Sequence, residues 1–234
     1  MAWRVAALAL WGLIACGSKD PVRELIRDLD RYPEYSLIVD DTRIEDPSFF
    51  PDYFLRFQVL TAAGQRVAGR DTIVYQERRT DWMEVNEETF YRYEKYVGMV
   101  VASKSLDGRR TGTSQAHPPG YQYVGNPQYG FWGGGGFWQF YGQYALMRDL
   151  MGGWGVGRGD WEDYRRNRER GRPYYGPVKG GQPTFGSRGS QTQKTRPQFY
   201  QRQQSRRQAF SGQVKNRMGR TTSGWGRGAS RFGK

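Results

Sequence analysis

A chain of 234 residues with 37% hydrophobic residues and 32 glycines cannot be one packed core from end to end, since glycine runs at roughly twice its usual frequency of about 7%. The net charge of +13 is unevenly spread: residues 17–110 hold 15 Lys and Arg against 18 Asp and Glu, whereas residues 164–234 hold 18 against one. The basic character therefore belongs to the last third, and that is the part suited to an anionic partner.

The first element is a short leader. MAWRVAALALWGLIA has one positive residue, Arg4, followed by an apolar run over 5–15. About eleven residues are too few to span a bilayer, which takes roughly 20, but they suit a secretory h-region. Leu13, Ile14 and Ala15 then precede Cys16, the only cysteine. This stretch resembles the lipobox of bacterial lipoprotein precursors. The resemblance covers the first twenty residues and implies lipidation of Cys16, cleavage before it and acylation of the new amino terminus. One thiol is what such an anchor needs, and further cysteines would risk disulfides in an oxidising envelope. Gly17 and Ser18 follow, with no Asp; in Gram-negative lipoproteins that pattern implies the outer membrane, on its periplasmic or surface face. Beyond the leader the chain resembles bacterial lipoproteins in general and no family of known activity.

Residues 20–106 read as the folded part. Asp20 suits a helix cap with Pro21 in the first turn, and Val22, Leu25, Ile26 and Leu29 then make one apolar stripe. YSLIV starts a strand running towards Ile44. YFLRFQVL alternates through Tyr53, Leu55, Phe57 and Val59, and DTIVYQE follows a turn at Gly64 as a hairpin partner. Asn86 suits the cap of a second helix with Phe90, Tyr93 and Val97 on one face, and GMVVASKS closes the unit as a strand ended by Asp107-Gly108. The expected class is α+β, a small, mostly antiparallel sheet with helices on one face, in the order α-β-β-β-α-β.

Residues 107–136 read as a linker, with three prolines and seven glycines between 117 and 136. Residues 137–152 read as an aromatic amphipathic helix, with Phe137, Trp138, Phe140, Tyr141, Tyr144 and Met147 as a docking surface. That face could meet the domain's own core, the membrane surface or a protein partner. Residues 153–234 are poor in aliphatics, so they read as a disordered basic tail, with a conditional helix over 198–218. Arg165, Arg166 and Arg168 form one basic cluster, and Arg202, Arg206, Arg207, Lys215, Arg217 and Arg220 another, interleaved with aromatics. Guanidinium forks bind phosphates and carboxylates and stack on rings.

Catalytic signals are sparse. His117 sits before two prolines and reads as a bystander. With the one cysteine lipidated, the sequence points to no His-based triad, no Cys/His dyad, no metal site and no cofactor. Asp40, Asp41, Glu45, Asp46 and Asp52 read as a solvated acidic face. The expected function is a lipid-anchored cell-envelope protein with a structural or binding role, its cationic tail touching anionic envelope polymers or lipids; nucleic acid does not suit that compartment. The alternatives are an accessory subunit of an envelope assembly docking through 137–151, and a carboxylate-based hydrolase using Glu84 with Glu87 or Glu88.

Overall fold

The structure, a computed structural model, describes residues 20–45, 50–67 and 70–220, with the side chains of 65–67, 70–72 and 209–220 left out. Cys16 lies outside the described residues. Helix α1 (Pro21–Leu29) starts as its residues dictate: the Asp20 carboxylate accepts hydrogen bonds from the amides of Val22 (3.0 Å) and Arg23 (3.4 Å), and Pro21 needs no partner for a missing N–H. Strands β1 (Glu34–Glu45), β2 (Asp52–Val67) and β3 (Arg70–Arg79) follow as an antiparallel meander. Strand β4 (Met83–Val85) extends the β3 edge by pairing with β2 at Tyr53, Phe54 and Leu55. Helix α2 (Glu87–Tyr93) is capped by Asn86, whose side chain accepts from the Thr89 amide at 2.8 Å. Strands β5 (Val100–Lys104) and β6 (Arg110–Thr111) complete a six-stranded sheet of order β3-β2-β1-β5-β6, with β4 beside β2. The class is α+β with a mostly antiparallel sheet. Beyond the expected elements stand the short strand β4 and the rim strand β6.

Alternation along β2 sends Leu55, Phe57 and Val59 into a cluster with Leu37 and Val39 of β1, Val22 and Leu29 of α1, and Phe90 and Tyr93 of α2. The opposite parity carries Leu60, which is covered by Tyr123, Tyr129, Tyr144 and Met147. Central strand β1 is therefore buried on both faces from Glu34 to Thr42. The second face is covered mainly by residues beyond 110, with Tyr75 and Leu106 also packed against it, and there the sequence expectations need correction.

The stretch expected to link, 107–136, is packed. Tyr121, Tyr123 and Tyr129 are buried, and His117 pairs with Val100 as an isolated bridge to β5. The expected helix over 137–152 is helical only in a 3-10 turn (Gly142–Tyr144) and in α3 (Ala145–Leu150). Before it, β7 (Gly130–Trp132) and β8 (Trp138–Phe140) form a hairpin closed by glycines 133–136. Exposure alternates along it: Trp138 is buried and Phe140 half-buried, while Phe131, Phe137 and Tyr141 face solvent. Period two, glycine turns and aromatic rings favour a strand over a helix here.

Over residues 153–208 the expected disordered tail is also corrected. Helix α4 (Arg158–Glu169), the two-residue strands β9 (Val178–Lys179) and β10 (Gln182–Pro183), helix α5 (Ser190–Thr195) and the start of helix α6 (Pro197–Arg220) form there. Residues 221–234 lie outside the described residues. The driving force is aromatic. Tyr164, Tyr174 and Phe185 pack around Tyr121 at ring-centroid distances of 5.7, 5.7 and 6.4 Å. At about 1.5–3 kcal/mol for each fully buried Phe side chain, Phe185 and Phe199 together contribute roughly 3–6 kcal/mol. Backbone ties fix the wrap: the Tyr174 amide donates to Ala116 O (2.8 Å) and the Ser187 amide to Lys95 O (3.2 Å). Gly98, at φ +81°, lets α5 come close, since a Cβ there would lie 2.8 Å from Thr192 Oγ1. Among the described residues no helix is long and apolar enough to cross a membrane.

Two buried titratable groups give the fold a pH signature. Glu34 is fully buried and its Oε2 accepts from Tyr75 (2.9 Å) and Tyr129 (3.3 Å). Burial outweighs these phenols and raises its pKa. His117 is buried with Nδ1 3.1 Å from Gln115 O and Nε2 3.0 Å from Gln122 Oε1, and burial lowers its pKa. A raised acid contributes stability that is full below its unfolded value, about 4.3, and is lost as pH rises through the folded value. A depressed histidine contributes above about 6.5 and loses that contribution as pH falls. The melting temperature of wild type relative to Glu34→Gln should therefore fall between pH 4 and pH 8, by about 2–4 °C for each kcal/mol of differential stability. A constant difference across that range would contradict the assignment. In a second test, a chain stopped after Leu106 should fail to unfold cooperatively, because Leu60, Ile38 and Glu34 lose their cover; a sharp, reversible transition in that fragment would contradict the architecture.

Candidate anion-binding groove

The groove begins with an irregularity in β1. The register with β2 shifts between Val39 and Asp41, so Val39 faces Phe57 and Asp41 faces Arg56 with Asp40 extra. Such a bulge re-aims side chains. Here both carboxylates reach Arg56: its Nε lies 2.9 Å from Asp40 Oδ2 and its Nη2 3.4 Å from Asp41 Oδ2. Both aspartates are buried, which corrects the expected solvated acidic face; Glu45 and Asp52 are exposed, and Asp46 lies outside the described residues.

Two more arginines arrive from the far end of the chain. Arg196, between α5 and α6, donates from Nε to Asp40 O (2.9 Å) and from Nη2 to Gln58 Oε1 (3.1 Å), with Nε 3.5 Å from Asp40 Oδ1. Burial lowers its pKa and the Asp40 charge opposes that shift. Arg202, on α6, bonds Asp41 Oδ2. Arg79 adds a looser contact to Asp40 at 3.6 Å. This cluster sets α6 against the sheet.

With α6 fixed, a groove of about 950 Å³ opens between it, α2 and the segment around β9 and β10. Tyr91, Glu94 and Lys95 come from one face of α2 and the turn after it; Tyr175, Val178, Pro183, Phe185 and Arg188 come from the wrapping segment; Gln203, Arg206 and Arg207 come from α6. Tyr91 and Val178 are exposed, and Phe185 is buried at the base. Tyr175 stacks on Tyr96 at 5.9 Å. Among the described residues, Lys95, Arg188, Arg206 and Arg207 make no ion pair, so four cations stand over an apolar floor with one carboxylate, Glu94. That arrangement suits an anionic ligand with an apolar or ring portion.

The basic residues singled out from sequence divide. Arg206 and Arg207 line the groove. Arg202 is committed to Asp41. Arg165 and Arg166 lie on α4, paired with Glu169 (3.7 Å) and Asp163, and Arg165 covers Trp161 at 5.0 Å. The Arg168 carbonyl holds the Gln115 side chain at 3.0 Å. Lys215, Arg217 and Arg220 are in the part of α6 whose side chains lie outside the described residues. Of the expected docking set, Trp138, Tyr144 and Met147 are buried in the protein itself, Phe140 is half-buried, and Phe137 and Tyr141 face solvent. Lys95 and Arg188 were not visible as site residues, because only the tertiary wrap brings positions 91–95 to 175–207. Glu84 and Glu87 are exposed and Glu88 bonds Arg92 at 2.6 Å, away from the groove. Among the described residues no group of three or more His, Cys, Asp or Glu could hold a metal ion. The chain matches no protein-family model, no curated protein and no solved structure.

Proposed function

We propose that the chain is a lipid-anchored cell-envelope protein with a binding role, and that its groove takes an anionic envelope polymer or lipid. The observation that carries this reading is the set of four cations over an apolar floor, none of which makes an ion pair among the described residues. The groove replaces the free basic tail as the binding element. The anchor position supports the same reading. Cys16 precedes Asp20 by four residues, a reach of at most about 14 Å. Asp20 meets Arg92 of α2 at 3.6 Å, and the neighbouring Tyr91 opens onto the groove. A lipid at Cys16 would thus hold the groove beside the headgroup layer.

A second reading is favoured by one observation. The outer face of the β7–β8 hairpin exposes Phe131, Phe137 and Tyr141, with Phe131 and Tyr141 in contact at 5.8 Å. An aromatic face of this kind suits an accessory subunit of an envelope assembly. A carboxylate hydrolase finds less support, because two carboxyl groups about 5–9 Å apart are needed and the groove holds Glu94 alone.

Intact-mass measurement of membrane-extracted protein should show cleavage before Cys16 plus acyl mass, both lost in Cys16→Ser; a mature chain beginning elsewhere would contradict the anchor. Binding to anionic vesicles or lipopolysaccharide should fall steeply with salt. Arg206→Gln with Arg207→Gln should flatten the log–log salt slope by about 2, taking about 0.9 for each neutralised phosphate as on DNA. Tyr91→Ser should weaken binding with the slope unchanged. An unaltered slope in the arginine double variant would remove the groove from the binding account.

A further inference from the structure

The groove between α2, the β9–β10 segment and α6 is lined by a hairpin arm on one side. The Phe185 amide donates to Tyr175 O at 2.9 Å, and Val178 pairs with Pro183 in the β9–β10 ladder. The arm thus runs from Tyr175 and Phe185 at its base to Val178 and Pro183 further out, a span of at most about 10 Å. Phe185 is its buried footing, Tyr175 and Pro183 are half-buried, and Val178 is 68% exposed. All four line the groove. Lys179, the cation carried by β9, is turned to the Trp154 ring, 4.7 Å from its centroid, and is not part of the lining. Between positions 175 and 185 the arm therefore shows the groove no charge. Tyr91, 51% exposed on α2, adds to the apolar surface, its ring held against Phe90 at 5.4 Å and Tyr53 at 5.9 Å.

Charge gathers at the base of the arm and on α6. The Ser187 amide donates to Lys95 O at 3.2 Å, which sets Lys95 beside Arg188. Both of these side chains are exposed. From α6, exposed Arg207 and half-buried Arg206 line the same groove, with Gln203 one turn before them. A ligand reaches these groups without displacing any part of the fold.

This division separates two kinds of anion. A hydrophilic polymer repeats its charge along its length and gains nothing from an uncharged arm. An amphiphile has one charged head and an apolar remainder, so both parts of the lining serve it. Pockets of this make-up, mostly apolar with a few polar groups at fixed places, are those that orient one ligand. An apolar patch left open beside such groups marks a surface that something covers.

We infer that the ligand of the groove is an anionic lipid, its headgroup among Lys95, Arg188 and the two α6 arginines and its alkyl chain laid along Val178, Pro183 and Tyr91. The inference rests on the anion-binding reading of the groove and narrows it from polymer or lipid to lipid. Isothermal titration of the full chain carrying Cys16→Ser, which removes the acyl site, is the test. The probes are butyl, hexyl and octyl phosphate below their micelle concentrations, with inorganic polyphosphate as the hydrophilic polyanion. Octyl phosphate should bind about tenfold or more tighter than butyl phosphate, within the limit of about fourfold for each added methylene that full burial sets. Val178→Ser, at an exposed position, should cut that ratio about threefold or more, with butyl phosphate, polyphosphate and the melting profile as in wild type. Arg206→Gln with Arg207→Gln should weaken both alkyl phosphates by one common factor and keep the ratio. Butyl and octyl phosphate binding alike, while polyphosphate still binds and weakens with salt, overturns the lipid and leaves the groove a polyanion site. An octyl preference unchanged in Val178→Ser also overturns it, because the chain then lies elsewhere. No binding of any of these anions removes the groove reading itself, and the lipid with it.

Discussion

Two carboxylates sit side by side at a bulge in the central strand, and neither can stay there unpaired. Asp40 and Asp41 are buried, and an uncompensated buried charge costs about 3–5 kcal/mol when its partner is removed. Arg56 comes from the neighbouring strand, but it serves both acids at once. Arg79 of β3 adds a looser contact to Asp40, and further neutralisation comes from Arg196 and Arg202, 156 and 161 residues along the chain from Asp40 and Asp41. The sheet therefore needs the C-terminal segment as much as that segment needs the sheet. The position of α6, and with it the wall it lends to the groove, follows from this requirement.

Aromatic burial makes the long return path affordable to a chain short of aliphatics. From residue 113 onward the buried side chains are mostly Tyr, Trp, Phe and Met, and they interlock in tilted and edge-to-face pairs. Each ring removes a large area from water with few rotatable bonds to freeze. Glycines supply the sharp corners that such bulky residues demand, as where Gly98 admits α5. The groove is a by-product of this wrapping: α2, the turn at 184–187 and α6 are each fixed by separate contacts, and the space they enclose carries cations that make no ion pair among the described residues.

Much of the N-terminal half was legible in the sequence because its signals are local. Asp20 and Asn86 cap the helices they were read to cap, and the alternation of Tyr53, Leu55, Phe57 and Val59 does mark one face of a strand. Three-residue β4 gave no periodic signal. The hairpin of β7 and β8 was read as a helix because Phe140, Tyr144 and Met147 also fit a helical spacing; the glycine run before Phe137 and the alternation from 137 to 141 were the better guide. The basic segment was read as disordered by counting aliphatics, which overlooks what Tyr164, Tyr174, Phe185 and Phe199 can bury. At the groove, Arg206 and Arg207 stood out by charge density, whereas Lys95 and Arg188 are ordinary until the wrap places them together. The pairing of Asp40 and Asp41 with arginines was hidden for the same reason, since no local pattern links position 40 to position 196.

The most direct test of this interdependence is native-state hydrogen exchange resolved along the chain. The amides of Gln191, Arg196 and Tyr200, each bonded to backbone carbonyls at 2.8 to 3.2 Å, should open with the same free energy as the central amides of β1 and β2, in one cooperative unit. Exchange of the C-terminal amides near unprotected rates, while the sheet stays closed, would contradict the account.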